Sequence, residues 1–511
     1  MPAPAPNHLL ADEAFRQTLT RRHLPAYLER QRWYTSKGRP LAGITVTALP
    51  PLGDAAALWL LEIAFGDGAA ETRVLAVAER DRAFAPDDPR VVCRTDGGAL
   101  VDAVAEEAFR ERLYGLMAAG GAVAGEAGVL RGVAGATLRA RPAYAGSRVP
   151  PQNSSNTVVV YPPDGFFKLF RRTEPGRHPD AELIAYLAEE RGFGSVPAFG
   201  GALEFAPAGG GEAVTLGLML GRVDHRGEAW ETMLHDVAAY AAALRGDAGL
   251  RALDVAGDLA SPLRPADLPP ALLAAVGEDT VRRLTLLGRR TAEMHVHLAA
   301  GEGEGMAPEP LDGDYWAPAV AQLRERLAAE AAYAEDADTR AALGAIDAWL
   351  ARTRLPRLPA GRTRVHGDYH LGQVLDTAED VVVIDFEGEP LHSLAYRRRR
   401  HPPAKDVAGM VRSLHYAPYA HALREADGAE GAMAAARTWY RLAARLFLTA
   451  YRETAGGASF VPRDPRERDA LLAFFLADKA LYELAYERAS RPAWLAIPRA
   501  GVRGVGEMVA G

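Results

Sequence analysis

The stretch from Arg364 to Pro390 constrains this chain more than any other part of it. It reads RVHGDYHLGQVL, continues through a short acidic break, and ends in VVVIDFEGEP. Two apolar runs of β type therefore each carry a group of polar side chains. The first group offers His366, Asp368, His370 and Gln373, and the second offers Asp385, Glu387 and Glu389.

The spacing of these polar residues is typical of a phosphotransfer site. Asp368 lies in a predicted loop just beyond an apolar run, where a general base can reach a substrate hydroxyl. The amide oxygen of Gln373 and the carboxylate of Asp385 are hard donors that suit Mg²⁺, and Glu387 can share a second ion. Burying Asp385 at the end of the run 381–384 is costly unless the carboxylate holds a cation or a hydrogen-bond network. The alternative is a pair of turn-capping aspartates without a metal.

A second informative region lies far upstream. The polar residues Ser155, Asn156 and Thr157 lead into a predicted strand at 158–161, and a second predicted strand at 166–170 carries Lys168. A helix predicted from Pro179 holds Glu182 in its first turns. Kinase folds use this order: the polar turn covers the phosphates, the lysine pairs with the α- and β-phosphates, and the glutamate orients the lysine. The alternative is an outward-facing strand lysine without a ligand.

Composition excludes several classes of protein. A chain of 511 residues is too long for one hydrophobic core, so several structural units are expected. A net charge of −7 argues against a nucleic-acid binder and against electrostatic attachment to a membrane. A single cysteine, Cys93, rules out an intrachain disulfide and favours a cytoplasmic location. The sequence carries neither a signal-peptide pattern nor an apolar run long enough to span a membrane.

The remaining pattern predicts strands and helices in two regions. A helix at 11–30 and strands at 44–49, 58–65 and 72–79 form a small α+β unit, followed by a helix at 99–119. Residues 120–135 and 200–211 are glycine-rich, which predicts a loop or weak strand and a hairpin loop. Below Gly221 the pattern is mainly helical. The predicted helices there are 229–244, 271–299, 315–332, 339–353, 404–416, 432–454 and 466–488.

The motif HGDYHLGQVL followed by IDFEGEP resembles the bacterial maltokinases, relatives of the aminoglycoside phosphotransferases and of eukaryotic-type kinases. The likeness extends to LPAYLERQRWYTSK at 24–37, KLFRR at 168–172, KDVAGM at 405–410, DKALYE at 478–483 and RPAW at 491–494. It implies an α+β, bilobal, protein-kinase-like fold. The implied parts are an N-terminal cap at 1–95, a β-rich nucleotide-binding subdomain at 96–220 and a mainly helical C-lobe at 221–511.

The resemblance implies transfer of the γ-phosphoryl group of ATP, with Mg²⁺, to a sugar hydroxyl. In maltokinases the acceptor is maltose and the product is maltose 1-phosphate. Asp368 would be the base, and Gln373 matches the family although aminoglycoside kinases carry Asn there. The resemblance implies a sugar site formed by Asp368, Tyr416, Lys479, Tyr482, Glu483 and Trp494.

Two alternatives to a maltose kinase stay open. The stretch LHSLAYRRRRHPPA, which follows DFEGEP, departs from the commonest family form where acceptor contacts are expected. A kinase that converts glucosamine to glucosamine 6-phosphate is therefore the second hypothesis. The third is a catalytically silent, nucleotide-binding pseudokinase. In each case we expect a small-molecule partner, and the sequence does not decide between a monomer and a homodimer.

Overall fold

The computed structural model describes residues 6–53, 56–85, 87–96, 98–141, 143–151, 155–253, 257–390, 392–424 and 429–510. The chain divides into two compact units, which comprise residues 1–223 and 224–511. Among the described residues, none of the helices combines the length and the apolar character that crossing a bilayer requires. Each unit has its own sheets and its own functional side chains, and the two are described separately.

The first unit is built on two antiparallel sheets of six strands each. The strands are β1 Leu41–Ala48, β2 Ala56–Phe65, β3 Ala70–Arg80, β4 Val91–Thr95, β5 Gly98–Asp102, β6 Ala122–Gly125, β7 Gly128–Ala134, β8 Thr157–Tyr161, β9 Gly165–Leu169, β10 Arg172–Thr173, β11 Phe199–Pro207 and β12 Val214–Gly221. One sheet has the order β1-β2-β3-β5-β4 with β10 also paired to β3, and the other has the order β6-β7-β11-β12-β9-β8.

Helices pack against both sheets of the first unit. They are α1 Glu13–Thr18, α2 Leu24–Arg30, α3 Glu107–Ala118, α4 Ala136–Ala140 and α5 Pro179–Ala185. Tyr27 of α2 and the following Trp33 pack with Trp59 of β2 in one core cluster. Phe109 of α3 packs in a second cluster with side chains from both sheets, such as Phe167 of β9. The apolar alternation of these strands therefore fills two cores, one on each side of the first sheet.

Three predicted elements of this chain are wrong, each for a local reason. The helix predicted from residue 99 begins only at Glu107, because residues 98–102 complete the first sheet as β5. The predicted loop at 200–211 is mostly the central strand β11, where a Cβ on Gly201 would lie 2.3 Å from a carbonyl of β7. The helix predicted over 271–299 is two helices, because Gly277 adopts a φ of +91° between them.

The second unit is mainly helical, as predicted. Its helices are α6 Ala229–Gly246, α7 Ala248–Ala252, α8 Pro270–Val276, α9 Glu278–Ala299, α10 Gly313–Ala331, α11 Ala337–Arg352, α12 Leu394–Arg397, α13 Ala404–Ala422, α14 Ala429–Ala455, α15 Pro465–Ser490 and α16 Ala496–Ala510. The helix α16 was not predicted. Five short strands complete the unit, namely β13 Gly227–Glu228, β14 Glu309–Leu311, β15 Leu358–Arg362, β16 Val374–Asp376 and β17 Val381–Val383.

The functional residues of the second unit lie around the hairpin of β16 and β17. Val374 pairs with Val383 in this hairpin, and β13 adds a third strand beside β16. The helices α6 and α9 pack against the hairpin, α13 packs against the turn at 371–373 before β16, and α13 is buried along nearly its whole length. Loops that carry polar side chains are thereby held on a rigid helical base.

Candidate active site

The loop before β16, residues 365–370, presents Asp368 with its side chain one quarter exposed. His366 fixes this loop from within, because its Nε2 donates to the carbonyl of Ile384 over 2.9 Å and its Nδ1 accepts from the N–H of Asp368 over 3.4 Å. The phenol of Tyr369 hydrogen-bonds to Thr291 of α9 over 2.8 Å. These bonds give His366 a structural role, and the loop is held on both sides of Asp368.

Asp406 anchors the same loop from below. Its two carboxylate oxygens accept the backbone N–H groups of His366, over 2.7 Å, and of Gly367, over 3.0 Å. His295 of α9 lies 3.1 Å from the same carboxylate through Nε2, and its Nδ1 lies 2.9 Å from the hydroxyl of Tyr451. Burial alone would raise the pKa of Asp406, but the hydrogen bond and charge of His295 lower it below the ordinary value. Asp406 therefore stays ionised beneath the loop.

Lys479 of α15 brings a cation to Asp368. Its Nζ lies 2.8 Å from Oε1 of Glu389 and 3.8 Å from Oδ1 of Asp368. Burial would lower the pKa of Lys479, but the two carboxylates raise it, so the ammonium stays protonated. Burial would raise the pKa of Glu389, but the charge and hydrogen bond of Lys479 lower it below the ordinary value. The three side chains form a coupled charge group.

These residues line one concave pocket. Tyr482 forms part of its wall, with the Lys479 ammonium 5.0 Å from the ring centroid. Arg326 of α10 and Asp478 of α15 form a further ion pair in the lining, and Lys405 contributes another cation. Polar groups of both signs beside an aromatic ring are what a polyhydroxylated ligand requires.

The predicted metal-binding residues lie at the open end of the β16–β17 hairpin, just before β16 and just after β17. The backbone carbonyl of Gln373 accepts the N–H of Ile384 over 3.0 Å, so Gln373 lies beside the end of β17 that leads into Asp385. Asp385 has a φ of +68° and is the one non-glycine residue with positive φ in the described part of the chain. Such a conformation costs on the order of 1 kcal/mol and is retained mainly where function needs it. Glu387 follows in the same loop, and Arg397 donates to its carbonyl over 2.9 Å.

Oxygen donors of this kind fit a magnesium ion. Gln373 offers an amide oxygen, and Asp385 and Glu387 offer carboxylates, all on short loops of one hairpin. Mg²⁺ binds through few carboxylates together with water and phosphate oxygens, so an incomplete protein cage is the expected arrangement. Their assignment as metal ligands stays a prediction.

In the first unit, the predicted nucleotide-binding lysine has an acidic partner. Nζ of Lys168 on β9 lies 3.1 Å from Oδ2 of Asp180 in the first turn of α5, and Asp180 is fully buried. The sequence analysis chose Glu182, two residues further along the same helix. Asp180 is therefore a carboxylate partner of Lys168 that the sequence analysis did not name, and the role of Glu182 stays a prediction.

The predicted phosphate-covering residues have different surroundings. Ser155 is exposed and Asn156 is half-buried in the turn before β8. Thr157 is buried, and its hydroxyl accepts a hydrogen bond from Nε of Arg171 over 2.7 Å. Arg171 also binds Asp102 and lies over the ring of Trp33, so Thr157 belongs to a structural network. Nucleotide contacts by Ser155, Asn156 and Thr157 stay predictions.

The predicted sugar-binding residues fall into two groups. Lys479 and Tyr482 line the pocket beside Asp368. Glu483 is instead bound to the buried Arg412, with Oε2 2.7 Å from Nη2 and 2.8 Å from Nε. Tyr416 donates to Glu487 over 3.3 Å, and Trp494 packs beside the C-terminal half of α13. The residues Tyr416, Glu483 and Trp494 are absent from the described lining of the pocket.

Comparison with known proteins decides the family. The Phosphotransferase enzyme family matches residues 166–444, which is more than half of the chain. The chain belongs to this family. The Maltokinase N-terminal cap domain matches residues 27–110. The phosphotransferase family uses ATP and Mg²⁺, so the expected cofactors are confirmed at the level of the family.

Individual relatives are glucosamine kinases. The glucosamine kinase of Streptacidiphilus jiangxiensis is 29% identical over 327 residues, which are 64% of this chain and 64% of that protein. The glucosamine kinase of Mycolicibacterium smegmatis is 36% identical over 140 residues, which are 27% of this chain and 33% of that protein. The matched segments thus span less than two thirds of either relative.

A solved structure shares the fold. The structure of a glucosamine kinase in complex with glucosamine, ADP and inorganic phosphate has a TM-score of 0.63, at 24% identity over 93% of this chain and 95% of that one. The α+β, kinase-like fold class with an N-terminal cap is therefore confirmed, as is the family resemblance.

Several residues of the site escaped sequence reasoning. Asp180 and Glu182 both lie in the first turn of one helix, and spacing alone does not select between them. Asp406 lies in the KDVAGM motif, and an acidic residue at the start of an otherwise apolar helix was the available signal. Arg326 of α10 has no local sequence signal, because its partner Asp478 is 152 residues away.

Proposed function

We propose that the protein is an Mg²⁺-dependent kinase that transfers the γ-phosphoryl group of ATP to a hydroxyl of a sugar. The observation that carries the proposal is Asp368, held by His366 and Asp406 on a fixed loop at the edge of a polar pocket. In this reaction the acceptor oxygen forms a bond to the γ-phosphorus while the bond from that phosphorus to ADP breaks. Asp368 receives the proton of the acceptor hydroxyl.

Gln373, Asp385 and Glu387 would hold the metal ion in this scheme. Bound Mg²⁺ neutralises the charge that develops on the phosphate oxygens. The left-handed backbone of Asp385 supports this role, because a strained conformation is maintained there by the surrounding hairpin. Lys168, positioned by Asp180, is the candidate for contact with the nucleotide phosphates.

The charges of the pocket favour a neutral acceptor, and we take maltose as the first choice. Glu389 is paired with Lys479, Asp478 is paired with Arg326, and Asp406 is occupied below the loop. A cationic amino sugar would enter next to the protonated Lys479, where like charges repel. Hydroxyl groups of maltose can bond with both members of each ion pair, and Tyr482 offers a ring face to a pyranose.

Glucosamine is the second candidate acceptor. It is favoured by the printed activity of the relatives in Streptacidiphilus jiangxiensis and Mycolicibacterium smegmatis. A silent nucleotide-binding protein is disfavoured, because the base, the metal donors and the paired lysine are all present in the chain.

The test is an ADP-release assay with Mg-ATP and a small panel of acceptors: maltose, glucose, glucosamine and an aminoglycoside. We expect turnover that is fastest with maltose. If glucosamine is phosphorylated and maltose is not, glucosamine becomes the proposed acceptor and the proposed phosphoryl transfer still holds. If no acceptor is phosphorylated although Mg-ATP binds tightly, the proposed kinase activity is contradicted. A catalytically silent nucleotide-binding protein is then favoured.

A further inference from the structure

The face of α15 that lines the acceptor pocket continues beyond it. Lys479, Tyr482 and Tyr486 stand at positions i, i+3 and i+7, which places them on one side of the helix. Lys479 and Tyr482 belong to the pocket lining. The rings of Tyr482 and Tyr486 have centroids 6.4 Å apart and planes inclined by 18°. Two nearly parallel aromatic rings therefore lead from the pocket along the helix.

Tyr486 is unusually exposed for a side chain of its size. It is 45% exposed, and it is one of only five large hydrophobic residues in the described part of the chain that are exposed to solvent. Ala485 and Ala489, on the same helix, are also exposed and end at a methyl group. The ring of Tyr486 is thus not screened by long neighbours on these positions. An exposed aromatic group next to a binding pocket is a common mark of a ligand-binding surface.

Arg491 extends this surface toward Trp494. Its Nε donates to Glu487 over 2.9 Å and its Nη2 to the same carboxylate over 2.5 Å. The guanidinium carbon lies 5.6 Å from the ring centroid of Tyr486 and 4.9 Å from that of Trp494. Glu487 is buried and also accepts from Tyr416. Arg491 is therefore held in place between two aromatic rings, with its charge balanced by Glu487.

We propose that Tyr486, Arg491 and Trp494 form an outer carbohydrate-binding surface that contacts the distal glucose units of a maltooligosaccharide. The reducing end of that oligosaccharide would occupy the pocket beside Asp368. This inference rests on the proposed sugar-kinase function and names a longer acceptor for it. Aromatic faces cover the C–H faces of pyranose rings, and the fixed guanidinium donates hydrogen bonds to hydroxyl groups.

The charge of the outer surface favours an uncharged oligosaccharide as the ligand. Arg491 is neutralised by a bidentate contact to Glu487, so the surface offers no free net charge to an anionic or cationic partner. An uncharged, polyhydroxylated chain is the ligand for which aromatic faces and a paired guanidinium are both useful. Continuity with the pocket through Tyr482 gives the direction in which such a chain extends.

The experiment measures binding and turnover of maltose, maltotriose and maltotetraose with the full-length wild type, Tyr486→Ala and Tyr333→Ala. Tyr333 is the matched control, because it is also an exposed tyrosine, at 59%, and also lies under an arginine, Arg488, at 4.0 Å. Dissociation constants come from calorimetry in the presence of Mg-ADP, and rates come from ADP release with Mg-ATP.

We expect wild type to bind maltotetraose about fivefold more tightly than maltose, the effect of roughly one aromatic contact. Tyr486→Ala should reduce this ratio to near one, and Tyr333→Ala should leave it as in wild type. The proposed outer surface would be contradicted if wild type bound the two sugars with equal affinity. It would also be contradicted if both variants lost the preference for maltotetraose equally. Tighter binding of maltotetraose without turnover of any sugar would instead contradict the proposed function and leave the surface intact.

Discussion

The ammonium of Lys479 lies 3.8 Å from Oδ1 of Asp368. A cation that is held by a second carboxylate, Glu389, therefore stands beside the proposed base and within the acceptor pocket. Its charge orders the pocket, because it offsets two carboxylates that would otherwise repel each other. The side chain of Lys479 is available to bind acceptor hydroxyls from the same position.

Replacing Lys479 by Met removes this charge while it keeps most of the volume. Lys479 lowers the pKa of Glu389, so its loss should raise that pKa and protonate Glu389 at higher pH. We expect the KM for the sugar to rise about tenfold at neutral pH and further as the pH falls. KM measured against pH tests this. Lys37→Met, a change at an exposed lysine of the first unit, is the control, and a flat KM profile identical to wild type would contradict the role.

Asp385→Asn tests the metal site. The substitution keeps the shape of the side chain and removes one charge from the proposed Mg²⁺ ligands, so the apparent affinity for Mg²⁺ should fall by about tenfold or more. The measurement is initial rate against Mg²⁺ concentration at fixed ATP. Glu379→Gln removes a charge from the exposed turn at the other end of the same hairpin and should leave the Mg²⁺ dependence unaltered. An equal effect of the two substitutions would exclude Asp385 as a ligand.

Asp406→Asn tests the anchoring of the catalytic loop. Asp406 has a lowered pKa in the folded protein, so it stabilises the fold above the ordinary aspartate pKa, and this stabilisation is lost as the pH falls. We expect the free energy of unfolding at pH 7 to fall by about 2–3 kcal/mol, with kcat also reduced. The difference from wild type should shrink between about pH 5 and pH 3.

Denaturant unfolding across that pH range measures the effect of Asp406→Asn. Asp347→Asn, at an exposed position of α11, is the control. A stability loss that is independent of pH would show that the charge of Asp406 is not what supports the loop.

The sequence predicted the two strands of the β16–β17 hairpin because the information for them is local. The residues from His366 to Glu389 lie on two short strands and their loops, so spacing along the chain is close to spacing in the fold. The hydrophobic pattern also predicted α10, α11, α13, α14 and α15 for the same reason, whereas α16 was not predicted. Glycine-rich β11 was missed, because its glycines serve close packing between strands rather than turns.

Partners that come from distant elements could not be predicted. The bond between Asp180 and Lys168 depends on how α5 packs against the sheet that holds β9. Glu483 faces the buried Arg412 rather than the pocket, because its helical position turns it toward α13. In both cases the residue type was visible in the sequence, and the direction of the side chain was set by tertiary packing.

Glu483→Gln separates a structural role from a sugar contact. Arg412 is 2% exposed, and removing the charge of its partner leaves a buried cation uncompensated. We expect a loss of about 3 kcal/mol in the free energy of unfolding. The KM for the sugar should change far less than in the Lys479 variant. Glu325→Gln, on the exposed side of α10, is the control for stability. A large rise in KM for Glu483→Gln without destabilisation would indicate that Glu483 contacts the sugar.

Phosphoryl transfer by Asp368→Asn tests the central claim most directly. The assay follows label from γ-labelled ATP into maltose, alongside Mg-ATP affinity measured by titration. Because Asp368 takes the acceptor proton and is not one of the proposed metal donors, we predict a rate of labelling about 10²–10⁴-fold lower, the size of a general-base contribution, with Mg-ATP affinity close to wild type. Labelling of maltose by Asp368→Asn at the wild-type rate would contradict the account.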